Sequence, residues 1–246
     1  MRLKDRVAIV TGGGSGFGDA ICRRFAEEGA KVVLVDCRAD RGSAVAQDIG
    51  AIFVEADVAS EADARRMIAT AVERFGRLDI LVNNAGAPQA PTPITDIDER
   101  DFDRLMAVNA KAIALAAKHA VPILRRQGGG VILNTVSVAA IRPRPNLAAY
   151  NASKGAALVL SKSLALELAP DSIRVNAVCP GPGDTPMLAT FVGGESEAHR
   201  AAFLQSIPLG RLCAPGDVAG IMVFLASDEA SFITGAVIEV DGGRCI

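Results

Sequence analysis

Seven short runs rich in β-branched residues, set apart by longer Ala-, Leu- and charge-rich stretches, constrain the fold of this chain more than any other feature. They are Val7 to Val10, Lys31 to Val35, Ile52 to Glu55, Asp79 to Val82, Val131 to Asn134, Arg174 to Val178 and Ala236 to Val240. The runs are nearly continuous in apolar character, as strands buried on both faces require, and most of the stretches between them have helical spacing. Parallel neighbours need a crossover, and right-handed crossovers place helices on both faces of the sheet. The expectation is an α/β chain built on a single doubly wound, Rossmann-type parallel sheet of about seven strands.

No Pro/Ser linker or change of composition divides the 246 residues, so one domain is expected over 1–246. The longest stretch outside the alternation, 181 to 214, is rich in Gly and Pro and is expected to form a flap over a site. Lys plus Arg number 26 against 28 Asp plus Glu, a net charge of -2, which leaves no broad cationic face for nucleic acid. The cysteines at 22, 37, 179, 213 and 245 are widely spaced and odd in number, against both a disulfide scaffold and a zinc site. His119 and His199 lack ligand spacing, so no metal is expected. The apolar run VAIV is too short for a signal peptide and no run reaches membrane-spanning length; a cytoplasmic protein with no membrane partner is expected.

The first strand runs into TGGGSGFG, which puts Gly12, Gly16 and Gly18 at a tight turn and at the opening of a helix. Glycine there lets main chain approach a pyrophosphate, while the helix N-terminus supplies N–H donors and a favourable dipole. Ser15 and Phe17, between these glycines, are counted with the same cofactor contact. Alone such a loop is a weak signal, because strand-to-helix turns attract glycine for conformational reasons. Asp36 strengthens it: 18 residues beyond Gly18, it has the spacing of a carboxylate that accepts from adenosine ribose hydroxyls, the other reading being a helix cap. A carboxylate there repels a 2′-phosphate, and Gly13, Gly14, Ser15 and Cys37 offer no cation; Arg38 and Arg41 read as solvated charges at a helix start. The cofactor expected is NAD rather than NADP.

In AAYNASKGAALVLSKSLALELA, Tyr150 and Lys154 are one helical turn apart and share a face. A phenol with a pKa near 10 is no base at neutral pH unless its anion is favoured. Lowering it by about three units takes about 4 kcal/mol, which one cation a few ångströms away supplies at an effective dielectric of about 20. The expectation is that Lys154 lowers the pKa of Tyr150 and leaves it a general acid/base. Ser137 closes the fifth strand, where its hydroxyl would meet the oxygen of an alcohol or carbonyl; alone it would read as a turn serine.

Together these residues resemble the short-chain dehydrogenase/reductase family, over essentially the whole chain. TGGGSGFG matches the family's TGxxxGxG, NNAG at Asn83 to Gly86 its fourth-strand motif, and YNASK its YxxxK. The resemblance implies that Ser137, Tyr150 and Lys154 are catalytic and that Asn109, in MAVNA, completes a tetrad by holding a water in a proton relay. It places Asp57 and Val58 at the adenine ring, and Asn83, Ala85 and Gly86 against the cofactor, with Tyr150 and Lys154 among the cofactor contacts. Pro180, Gly181 and Thr185 match PGxxxT, whose threonine meets the nicotinamide carboxamide. Two positions depart from the pattern: Gly183, where a branched residue is usual and a glycine would loosen the loop, and Phe17, where Ile or Leu is usual. More narrowly, SGFG, RPRPNLAAYNASK, DTPM and the closing VDGGR resemble bacterial members that oxidise benzylic alcohols, sulfonated ones included.

The resemblance implies an NAD-dependent oxidoreductase that moves a hydride between a primary or secondary alcohol, or its carbonyl, and the nicotinamide. The rival readings are a non-catalytic NAD-binding sensor, which would be expected to lack the tyrosine or lysine, and a 3-oxoacyl-type ketone reductase using NADPH. Extended epimerases and dehydratases are usually longer. In this family the loop IRPRPNL lines the substrate pocket, and its prolines would stiffen Arg142 or Arg144 for a carboxylate or sulfonate; otherwise both face solvent or a neighbouring subunit. A homotetramer is expected by resemblance. The helix from Asn151 to Ala169 is apolar around most of its girth, and the helix from Asp101 to Gln127 would offer Ala114, Ala117 and Val121 as a smooth outer surface.

Overall fold

The computed structural model describes residues 1–191, 201 and 204–246. Its strands are β1 Val7–Thr11, β2 Lys31–Asp36, β3 Ile52–Glu55, β4 Ile80–Asn83, β5 Gly130–Thr135, β6 Ile173–Pro180 and β7 Val237–Val240. They form one seven-stranded sheet in the order β3-β2-β1-β4-β5-β6-β7, parallel throughout. The helices are α1 Gly16–Glu27, α2 Ala39–Ile49, α3 Glu61–Phe75, α4 Glu99–Met106, α5 Ala112–Arg126, α6 Ala148–Leu168, α7 Leu188–Phe191 and α8 Pro215–Ala226. The expected doubly wound architecture is the observed one.

Alternation along β1 shows how the layers are built. Ala8 and Val10 point to one face, with Leu34, and pack on Ile21 and Phe25 of α1 and Met222 and Val223 of α8. Val7 and Ile9 point to the other, with Val33 and Val35, and pack on Met67 of α3, Leu124 of α5 and Leu168 of α6. Every residue of β1 is buried, so a polar substitution on either face would strand a group without water. Ends of the helices are set locally: Ser60 accepts from Asp63 N at the start of α3, Asp98 from Arg100 N at the start of α4, and left-handed Gly50 and Gly76 close α2 and α3.

Strand order reverses between β1 and β4, and at such a point the carboxyl ends of the strands leave a crevice. Parallel register delivers chemistry-bearing residues to that one edge, with Asp36 beside Glu55, Asn83 beside Asn134, Thr135 beside Val178 and Pro180 beside Val240.

The structure corrects three expectations about helices. The run from Asp101 to Gln127 is not one helix: α4 and α5 are joined by a π turn at Ala107–Lys111, which carries Asn109 into the interior. Ala117 and Val121, expected on an outer surface, are 3% and 8% exposed inside the core, and Ala114 alone of the three is exposed. On α6 the outer face is mixed rather than apolar, with Val159 62% and Leu166 82% exposed beside exposed Lys162, Ser163 and Glu167. Among the described residues, no helix is long and apolar enough to cross a membrane.

Candidate active site

A cleft of about 570 Å³ opens at the carboxyl edge of the sheet. Gly12, Ser15, Gly16 and Phe17 line it after β1, Asp36 at the end of β2, and Asp57 and Val58 after β3. Ala85 and Gly86 follow from β4, Ser137 from β5, Tyr150 and Lys154 from α6, and Pro180, Gly181, Gly183 and Thr185 from β6 and beyond. Residues scattered over most of the sequence thus share one wall. The expected flap over 181–214 falls partly outside the described residues, as does His199; its described part brings Thr185, Met187, Leu188 and Phe191 to the cleft.

The dinucleotide end is assembled by main-chain contacts. Gly12 is left-handed, with φ of 66°. A Cβ on Gly18 would overlap the Gly12 carbonyl oxygen, so Gly18 lies under the loop as a packing residue and not in the cleft wall. Asp36 Oδ2 accepts from Gly14 N at 2.9 Å and Oδ1 from Arg38 N at 2.9 Å, which fixes the carboxylate toward the loop at the cleft edge. Arg38 turns its guanidinium toward Asp40 at 3.5 Å and does not line the cleft. A glycine cradle at the N-terminus of the twelve-residue α1, with an acid one strand away, fits a dinucleotide: the loop would hold the pyrophosphate on N–H donors and Asp36 would take the ribose.

Phe17 and Gly183 explain one another. A Cβ on Gly183 would overlap the Phe17 ring, so the large residue in the glycine loop fills the space that a branched residue at 183 would occupy. The loop after β6 is therefore packed rather than loosened, and it is also bridged to Cys213.

Of the other family positions, Asn83 points away from the cleft and donates to Asn134 Oδ1 at 2.8 Å within the sheet. Its neighbour Asn84 lines the cleft instead; its Nδ2 donates to Thr11 O at 3.0 Å and its Oδ1 accepts from Thr135 Oγ1 at 3.2 Å. Asn109 is 2% exposed. Its Oδ1 accepts from Ala87 N at 2.8 Å, and its Nδ2 donates to Ala87 O at 3.1 Å and Ser153 Oγ at 3.0 Å. That amide is a clamp between the loop after β4 and α6, and its side chain does not line the cleft.

Tyr150 and Lys154 sit in the first turns of α6, whose start is held by Gln89 Oε1 accepting from Tyr150 N at 2.8 Å. Tyr150 is 7% exposed and lines the cleft together with Ser137, while the Phe191 ring stands edge-on to it at 4.9 Å. Lys154 Nζ lies 5.9 Å from the Tyr150 ring centroid and donates to Thr135 O at 3.1 Å. The expected lowering of the phenol's pKa by Lys154 is not what this environment produces. Burial pushes Tyr150 up to about 12, against a smaller opposing effect of Ser137, and burial pulls Lys154 down to about 8. Desolvation of each group outweighs what its neighbours offer its charged form.

Sequence reasoning did not reach Thr11, Asn84, Gln89, Thr135, Phe191 or Arg244. Of these only Arg244 carried a signal, in the closing VDGGR. Among the described residues Glu239, Asp241 and Cys245 bring potential ligand atoms within 4.8 Å of one another. There Asp241 Oδ1 accepts from Gly243 N and Oδ2 from Cys245 N, each bond fastening the C-terminal turn.

A doubly wound sheet with a glycine cradle, an acid at the end of the second strand and a Ser–Tyr–Lys cluster in one cleft defines a nicotinamide-dependent oxidoreductase. The comparisons agree: the family model described as Enoyl-(Acyl carrier protein) reductase matches residues 12–244. The chain is 45% identical to 4-formylbenzenesulfonate dehydrogenase of Comamonas testosteroni, over the whole of both chains. The crystal structure of 3-ketoacyl-(acyl-carrier-protein) reductase from Brucella melitensis complexed with NADH superposes with a TM-score of 0.94 at 44% identity, covering 99% of this chain and 100% of that one. A 7α-hydroxysteroid dehydrogenase complexed with NADH superposes at 0.93 with 36% identity, covering 98% and 95%. The chain belongs to the short-chain dehydrogenase/reductase family.

Proposed function

We propose that the protein is an NAD-preferring alcohol dehydrogenase, one that interconverts a primary or secondary alcohol and its carbonyl. The observation that carries this reading is that Ser137, Tyr150 and Lys154 line one cleft together with the glycine loop. NADH in two structural relatives supports the cofactor, and so does Asp36, whose carboxylate faces where a 2′-phosphate would lie.

Bound in the cradle, the nicotinamide supplies the acceptor or donor of a hydride. Ser137 donates to the substrate oxygen and orients it, and Tyr150 exchanges a proton with the same oxygen. A phenol held at about 12 is poised as an acid toward a carbonyl oxygen. In the alcohol direction it must first be ionised, which at neutral pH takes about 7 kcal/mol. The Lys154 ammonium, 5.9 Å from the Tyr150 ring centroid, offsets part of that cost, to which a bound oxidised nicotinamide would add its positive charge. Lys154 would also hold the nicotinamide ribose, and Asn109 acts through the loop it clamps.

A homotetramer in the cytoplasm completes the reading. Val159 and Leu166 on α6 form one exposed apolar set, and Leu209 and Ile246 beside the turn after β7 another, the two kinds of interface that a tetramer with twofold axes uses. A 3-oxoacyl reductase is the second reading, favoured by the 44% identical Brucella melitensis relative. Purified protein offered alcohols with NAD or NADP, and an acetoacetyl thioester with NADH or NADPH, separates them by the change in reduced nicotinamide. Turnover of the thioester alone would overturn the first reading.

A further inference from the structure

Two arginines in the cleft wall serve neither the dinucleotide nor the proton transfer. The charged lining residues divide by position: Asp36 and Asp57 follow β2 and β3, whereas Arg144 and Arg244 follow β5 and β7, in the opposite half of the sheet. Arg144 belongs to the loop that leads into α6. Its Nε and Nη2 are buried, and among the described residues neither finds a hydrogen-bond partner. Arg244 is 7% exposed and is held from its main chain, where Arg142 Nη1 donates to its carbonyl oxygen at 2.6 Å. Arg142 is thereby turned to support, outside the cleft lining, which corrects the expectation that it meets substrate. Burial and the charges of Arg144 and Arg142 pull Arg244 down to about 10.

Guanidinium donors left unpaired beside a second guanidinium are unfavourable in a buried wall unless an anion completes them. We propose that Arg144 and Arg244 form an anion subsite, and that the substrate is an alcohol or carbonyl carrying a carboxylate or sulfonate at the end remote from its reacting carbon. The inference rests on the dehydrogenase reading of the same cleft. The cleft wall also carries apolar Leu147, Met187 and Phe191, and Phe191 presents its ring beside Tyr150. The body of the substrate is therefore apolar, and a flat ring suits it. The subsite is not a cofactor phosphate site, because the glycine loop that would hold pyrophosphate follows β1 and the acid for the adenosine ribose ends β2.

The test compares kcat/KM, with NAD, for 4-(hydroxymethyl)benzoate and 4-(hydroxymethyl)benzenesulfonate against benzyl alcohol. The expected anionic-to-neutral ratio in the wild type is at least about tenfold, and Arg144→Gln or Arg244→Gln lowers it by about 10- to 100-fold, the worth of one charge-assisted hydrogen bond. The larger of the two anionic ratios tells carboxylate from sulfonate. A wild-type ratio near one, or a ratio that neither variant lowers, overturns the proposal. Should a glutamine variant not fold, Arg144→Lys, which keeps the charge and loses the fork, is expected to give an intermediate ratio. Benzenesulfonate, which has no hydroxyl, is expected to inhibit the wild-type enzyme competitively with benzyl alcohol; absence of inhibition also overturns it. If no alcohol reduces NAD, the dehydrogenase reading fails separately. The subsite is then judged by calorimetric binding of benzenesulfonate to the NADH-loaded protein, where binding lost in the variants supports it and no binding refutes it.

Discussion

Replacing Lys154 with methionine is expected to make the cofactor-free protein more stable while removing its activity. The side chain is 4% exposed, and burial holds its pKa near 8 against 10.5 for an ordinary lysine. Below pH 8 the group is charged in both folded and unfolded chains, so its full desolvation cost is present, about 3 kcal/mol at 1.36 kcal/mol per unit. Between about 8 and 10.5 the unfolded chain binds the extra proton, and the folded state gains relative stability as pH rises. Lys154→Met removes this cost with a side chain of similar length but loses the bond to Thr135 O, worth about 1 kcal/mol. The variant should therefore be about 2 kcal/mol more stable at pH 7, a rise of about 4–8 °C in melting temperature for a chain of this size. That advantage should shrink as pH approaches 10.5. Thermal melts of both proteins from pH 6 to 10.5, without nucleotide, read it directly, since Tyr150 titrates in each. A variant no more stable than wild type at pH 7, or a difference that does not change with pH, would refute the reasoning.

Tyr150→Phe keeps the packing against Phe191 and removes the proton; turnover should fall by at least about 10² to 10⁴ with NADH binding, followed by fluorescence, nearly intact. Asp36→Ala should narrow or invert the NAD-over-NADP preference in steady-state kinetics, and an unchanged ratio would remove its assigned role. Gly183→Val should destabilise by about 1–3 kcal/mol through overlap with the Phe17 ring, and the added Phe17→Ile should restore most of it; additive losses in denaturant titrations would mean the two positions are not coupled. Leu166→Glu, on the exposed face of α6, should lower the molar mass seen by light scattering, and an unchanged mass would place the interface elsewhere.

The glycine loop, Asp36, Ser137, Tyr150 and Lys154 were legible because each combines a distinctive residue type with a fixed place at the end of a strand or the start of a helix. Gln89 and Thr135 were not, since an amide or a threonine in a loop or strand says nothing of which distant N–H or carbonyl it will meet. Asn83 and Asn84 show the limit most plainly. The pair is obvious in NNAG, yet which of them enters the sheet and which lines the cleft depends on the pleat of β4 against β5.

What the sequence determined by itself is periodic or local: seven buried strands, the crossovers between them, the glycine turn, and a phenol and an ammonium on one helix face. These follow from backbone geometry and solvent exclusion acting over a few residues. Tertiary structure alone decided the rest. The π turn that buries Asn109, the exchange of bulk between Phe17 and Gly183, and the meeting of Arg144 with Arg244 each join residues far apart in the chain. The direction of the pKa shifts at Tyr150 and Lys154 belongs with them. Sequence spacing gives the distance between two groups along a helix, but only the packed protein fixes how much water each has lost, and here that loss sets the direction of both shifts.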